Sequence, residues 1–350
     1  MNNTISNPAE KSKKIDMQKH QPFLSYGRGF AITTIVFFHF LQQMSLPGLI
    51  ASAINLGGAG VHLFFFASGY GLMNSRYSSA LNFYKARFHK VIKPYYYIIS
   101  GIFLLNISLN LYHDGWESYL SHIFLFKMFT SQISSFGGQF WYMSALIQFY
   151  IFFPVIRVLF NRVSPVQGLL GATFISLLYS GWVLFIGQEE TRQFNSFFLQ
   201  FLWEFVLGMA ICKKNVLQKL ISKELWTYIL IALVSLAIMG LLVKYFGAAG
   251  KMYNDFFSFI AYISICIICY RINLLSRLLF YLDGISFPLY LTHVFVISFY
   301  LSKILINHQI RFIDLPFLAF LSLIVAIAVN FIITMKIPRR VKFYENGNPS

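Results

Sequence analysis

The chain reads as an all-α polytopic membrane protein, with about ten transmembrane helices plus one interfacial or re-entrant segment. Three observations carry this reading. Of 350 residues, 57% are hydrophobic and only 11% charged, and the mean hydropathy is +0.63, far from the usage of soluble domains. Ten stretches approach the roughly 20 apolar residues needed to cross a bilayer: 24–46, 55–74, 94–112, 140–158, 166–187, 194–211, 226–246, 255–271, 285–306 and 316–336. With ten spans and a cytosolic N-terminus, all Lys and Arg fall on the cytosolic side except Lys127, Arg192, Lys244, Lys251, Lys303 and Arg311. That asymmetry follows the positive-inside rule. It also accounts for the net charge of +16 by topology, so no nucleic-acid partner is expected.

Taken in order, residues 1–22 are polar and basic, without a short apolar core and cleavage site, and read as a cytosolic tail. A transmembrane domain is expected over 23–337 and a second cytosolic tail over 338–350. In the apolar run from residue 28 to about 46, Arg28 and His39 are the only ionisable groups. Eleven helical steps turn about 1100°, which returns His39 to the face of Arg28 roughly 16 Å further along. Ionisable groups inside a membrane are costly and default to function. The spacing places an imidazole near mid-membrane and an anion-binding guanidinium near one surface. Gln42 and Gln43 continue this face, either as polar binding groups or as the mark of the helix end at the outer interface. The second span opens Gly57-Gly58-Ala59-Gly60-Val61-His62 and closes Ala67-Ser68-Gly69-Tyr70. Small residues of this kind let helices approach closely in lipid. Here Ser68 is read as bonding its own backbone or serving the site, and His62 as interfacial.

A cytosolic loop is expected over 75–93, carrying Arg76, Lys85, Arg87, His89, Lys90 and Lys93 and no acid. Such a cluster suits anionic lipid headgroups, at about 1 kcal/mol per cation, or the phosphates of a soluble ligand. The patch 119–134 contains His122 and Lys127 and is read as interfacial or re-entrant, because counting it as a span would invert every later loop. Glu204 lies mid-span and needs a cation or a proton; Arg28, His39 and a backbone carbonyl are the candidates. Ser286, Tyr290 and His293 share one helix face, and Pro288 in the same turn frees backbone acceptors. Cys212, Cys266 and Cys269 fall in or beside spans without other ligands nearby in sequence, so packing is expected and no metal.

These pieces together resemble acyltransferase family 3. Arg28 to His39, with Gly29, is similar to that family's first-span R-x10-H motif. Phe64-Phe65-Phe66-Ala67-Ser68-Gly69-Tyr70 resembles its F-F-x-x-S-G-F stretch. Phe83 to Lys90, followed by Pro94, resembles its basic F-x-x-R-R-x-x-R…P segment. Phe140-Trp141-Tyr142-Met143 with Phe149-Tyr150 and Pro154 resembles its W-x-L…F-Y…P span, and Ser286 to His293 its S-Y-x-x-Y-L-x-H stretch. Two departures stand out. Leu146 occupies the place of a frequent Glu, and Lys90 that of the second Arg of the basic pair. The extracytoplasmic hydrolase-like domain fused to some members is not expected within these 350 residues.

The resemblance implies transfer of an acyl group, acetyl in the usual case, from cytosolic acyl-CoA to a hydroxyl of a cell-surface or lipid-linked glycan. His39 would then be general base or nucleophile, with Arg28 at the cytosolic end of the same helix as its catalytic partner. Lys85, Arg87, Lys90 and Lys93 would hold the CoA phosphates. Ser68, Trp141, Glu204, Tyr290, His293 and Gln42 would support the acceptor or the acyl passage. The expected setting is a bacterial plasma membrane, with both termini cytosolic, lipids and the glycan as partners, and self-association left open. The competing class is a glycan transporter or flippase. Transporters tend to carry paired broken helices in repeated halves, and none is seen here.

Overall fold

The computed structural model describes residues 21–306 and 309–334. The tails 1–20 and 335–350, with the cations expected there, lie outside the described residues. Helix α1 (Pro22–Leu41) opens on a proline, tolerated in a first turn because that N–H has no intrahelical partner. Helices α2 (Gly48–Gly58) and α3 (Gly60–Asn74) meet at Ala59 and supply the second crossing.

The next element corrects the expected loop. Ser79 caps the helix start by accepting from the Asn82 amide, and α4 (Ala80–Arg87) follows at once. A π turn at Phe88–Ile92 carries it into α5 (Lys93–Leu109). The cations were read as loop because they are polar. Ala, Leu, Lys and Arg are, however, good helix formers, and the Ser cap starts the helix inside the charged stretch.

Short α6 (Trp116–Ile123) and 3-10 turns lead to α7 (Trp141–Asn161). None of the pieces across 119–134 is long enough to cross a bilayer, as expected. His122 holds them together: its ring bonds the Tyr95 hydroxyl at 2.6 Å and the Ser135 hydroxyl at 2.9 Å. Lys127 is also buried, over the face of Phe140. Burial pushes the Lys127 ammonium down to about 7 and the His122 imidazole well below its ordinary range.

Helix α8 (Pro165–Phe185) begins with a capping box of Ser164 and Gln167. Then come α9 (Arg192–Asn195), α10 (Leu202–Lys214), α11 (Leu217–Ile221) and α12 (Leu225–Arg271). At Gly247 (φ 51°, ψ −121°) the chain of α12 turns. A side chain on Gly250 would touch the Leu242 carbonyl. Eight residues of straight helix would separate those positions by about 12 Å, so the chain has folded back. Helix α12 is therefore two spans, Leu225–Gly247 and Met252–Arg271. Helix α13 (Ser276–Phe299), a second π turn (Tyr300–Ile304) and α14 (Leu315–Thr334) complete the described chain.

Ten helices among the described residues are long and apolar enough to cross a membrane, and the chain is an all-α multi-pass membrane protein. The spans Ile54–Asn74, Arg192–Lys214 and Ser276–Ile304 are the most enclosed. Leu225–Gly247 and Phe312–Thr334 are peripheral and present Leu230, Leu233, Phe320 and Phe331 outward, as lipid-facing helices do. Strict alternation gives the bundle two ends. The one at Pro22 is called proximal here and the one at Leu41 distal.

Candidate active site

Two parallel helix pairs build the site, and each depends on glycine. A Cβ on Gly29 of α1 would sit 1.9 Å from the Leu279 carbonyl oxygen of α13. Only a hydrogen fits there, and the two backbones touch. At the proximal end of this pair, Arg28 donates a two-pronged contact to Asp283, Nε to Oδ1 at 2.7 Å and Nη2 to Oδ2 at 2.8 Å. This corrects the reading of Arg28 as a vacant anion site, since a carboxylate already fills its fork. Asp283 went unnoticed in the sequence, although it is the only carboxylate within Ser276–Ile304.

At the distal end of the same pair, the His39 and His293 rings stand 5.1 Å apart. Arg28 to His39 and Asp283 to His293 are nearly equal steps along their helices, roughly 16 and 15 Å. The ion pair and the imidazole pair thus share one register. Helix α1 ends at Leu41, short of the expected 46, with the Gln42 amide closing on Phe38. His39 therefore lies in the last turn of its helix rather than near mid-membrane. The polar pair Gln42 and Gln43, with Pro47 beyond, stops the helix there. His293 is fully buried, and its Nδ1 donates to the Leu289 carbonyl at 3.0 Å. Its Nε2 finds no partner among the described residues.

His39 opens onto a distal cavity of about 790 Å³ whose walls are largely polar, among them Gln42, His62, Gln139, Trp141, Arg192, Asp255 and Tyr290. The second helix pair forms its far wall. Gly69 of α3 lies against the Phe205 carbonyl of α10, and Gly208 of α10 against that of Phe66, again too close for a side chain. Between these helices His62 Nδ1 meets Glu204 Oε1 at 2.8 Å. Its Nε2 stands 3.8 Å from Asp255 Oδ1, and the Gln200 amide donates to Asp255 at 3.1 Å. This corrects two expectations. Glu204 pairs with His62, not with Arg28, His39 or a carbonyl, and His62 is a buried wall of the cavity rather than an interfacial residue.

Other candidate residues fall into place around this cavity. Trp141 opens α7 and lies under Arg192, 5.5 Å from ring to guanidinium. The Tyr290 hydroxyl donates to the Gln139 carbonyl. Ser68 bonds the Tyr142 hydroxyl, whose ring stands 5.2 Å from that of Tyr290. The basic residues are elsewhere. Arg87 lies over Phe83 and Tyr150, at 5.7 and 5.8 Å, and Lys93 over Tyr97. Lys85 and Lys90 occupy the same helix, and none of the four lines the distal cavity. Of the three cysteines, all free thiols, Cys266 is fully buried.

Ten apolar spans hold His39 at the wall of a polar cavity with His293 beside it, and a cationic helix end lies on the opposite side. The chain belongs to acyltransferase family 3: the acyltransferase domain model matches residues 21–335, and so includes every span. No match is found among curated proteins or among solved structures.

Proposed function

We propose that this protein moves an acyl group, acetyl in the simplest case, from cytosolic acyl-CoA to a hydroxyl of a cell-surface or lipid-linked glycan. The observation that carries this reading is His39 at the wall of a polar cavity with His293 behind it. In the proposed step, the His39 imidazole takes the proton of the acceptor hydroxyl. The freed oxygen forms an ester bond to the thioester carbonyl carbon, the carbon–sulfur bond breaks, and CoA leaves as a thiolate that recovers the proton. His293 keeps its Nδ1 proton on Leu289, and the Gln42 side chain, hydrogen-bonded to His39, orients the imidazole toward the cavity. General-base assistance of this kind is typically worth about 10²–10⁴-fold in rate.

The proximal end would face the cytosol, as the positive-inside rule requires. Arg87, Lys85, Lys90 and Lys93 on the helix Ala80–Leu109 suit the CoA phosphates. The donor's thioester arm would pass along Tyr142 and Tyr290 toward His39. The test is transfer of radiolabel from acetyl-CoA to glycan in membranes holding either the native chain or His39→Ala at equal abundance. Loss of transfer is expected, and near-native transfer would make His39 structural. A His39-dependent label on the protein itself, formed without acceptor, would replace direct transfer by an acyl-enzyme.

A further inference from the structure

One side chain on the cavity wall has no role so far. Gln139 lies on the 3-10 turn Gly138–Phe140, just before α7, and only 2% of it is exposed. It lines the cavity, yet neither its Nε2 nor its Oε1 has a hydrogen-bond partner among the described residues. Its backbone is fixed by Tyr290, whose hydroxyl donates to the Gln139 carbonyl. Gly137, at φ +112°, leaves room for the amide: a Cβ there would sit 2.3 Å from Gln139 Oε1. A buried primary amide with both ends unpaired costs free energy in the empty protein. Here that amide belongs to a residue of the cavity wall and lies over Gly137, beneath the cavity surface.

We infer that Gln139 is the acceptor-positioning residue of the site and that the acceptor unit bound there is a sugar with two neighbouring hydroxyls. The inference rests on the acyl-transfer reading above. A carboxamide presents one donor and one acceptor side by side, so it can accept from one hydroxyl while donating to the next. A carboxylate could only accept, and a cation could only donate. Tyr290 ties the Gln139 backbone to α13, the helix that carries His293. A diol held by Gln139 is therefore placed relative to the histidine pair by a single hydrogen bond between two rigid elements.

The experiment uses the full-length chain in membranes, with the unacylated glycan isolated from cells lacking this protein as acceptor and acetyl-CoA as donor. Gln139→Leu keeps the size of the side chain and removes both polar ends, and Gln139→Glu removes the donor and adds a negative charge. Both variants should raise the acceptor KM, Leu by about tenfold or more, since a site built to bond a hydroxyl discriminates strongly. The acetyl-CoA KM should stay unchanged. The purified Leu variant should melt no lower than the native protein, because replacing an unsatisfied buried amide by an apolar group is neutral or stabilising. A clearly lower melting temperature would show that the amide is structural, and an unchanged acceptor KM would show that it does not touch the acceptor; either result overturns the inference. If the native chain itself transfers nothing from acetyl-CoA to that glycan, the acyl-transfer reading fails and the inference falls with it.

Discussion

Replacing Gly29 by Ala tests the register of the site without touching any polar group. The added Cβ would lie 1.9 Å from the Leu279 carbonyl oxygen, where ordinary contact begins at 3.4 Å. The obstacle is backbone on a packed helix, so α1 and α13 must separate by about 1.5 Å, the difference between those two distances. An Arg28–Asp283 fork with contacts of 2.7 and 2.8 Å does not survive such a shift in both prongs. At the other end of the pair, His39 and His293 move apart by a similar amount. Misplacing reacting groups by about 1 Å costs on the order of 100-fold in rate, and Gly29→Ala is expected to lose at least that much acyl transfer. The assay is radiolabel transfer from acetyl-CoA to glycan, normalised to folded protein by size-exclusion chromatography of a fluorescent fusion. Gly71→Ala and Gly101→Ala meet nothing within 4 Å and serve as controls. If Gly29→Ala keeps more than half of native activity, the argument that close α1–α13 contact sets the histidine register is refuted.

Three further outcomes are expected. Arg87→Ala should raise the KM for acyl-CoA more than it lowers kcat, because a phosphate contact remote from the reacting carbonyl contributes mainly uniform binding; unchanged donor dependence would return this helix end to lipid headgroups. Cysteines placed at Glu189 and Asp314 should be labelled from outside the cell and those at Lys85 and Lys214 only after permeabilisation, so external labelling at Lys214 would overturn the span order. Lys127 titrates at about 7 in the fold, against about 10.5 in an unfolded chain. Between these values the unfolded chain holds more protons, so stability rises with pH from 7 toward 10.5 and the penalty is full below 7. The melting temperature should climb over that window, and Lys127→Met should flatten the climb; an unaltered slope would exclude Lys127 as its source.

The sequence by itself determined the class of this protein and the placement of Arg28 and His39 on its first helix. Twenty-residue apolar runs and one-sided charge are local properties, because the bilayer imposes the same length and polarity on every crossing. Arg28, Gly29 and His39 are legible in the same way, since a single helix fixes their mutual placement. What those groups touch was decided only by tertiary structure. Arg28 meets Asp283 from 255 positions away, and His62 meets Glu204 from 142, separations at which no periodicity survives. The cationic stretch before Lys93 was misread because charge speaks for solvent exposure, while the backbone there answers to helix propensity and a serine cap. Gln139 carries no signal in the sequence at all. A glutamine between Gly138 and Phe140 becomes notable only once Tyr290 pins its backbone and the cavity leaves its amide buried and unpaired, and whether a buried polar group is satisfied is a property of the packed bundle.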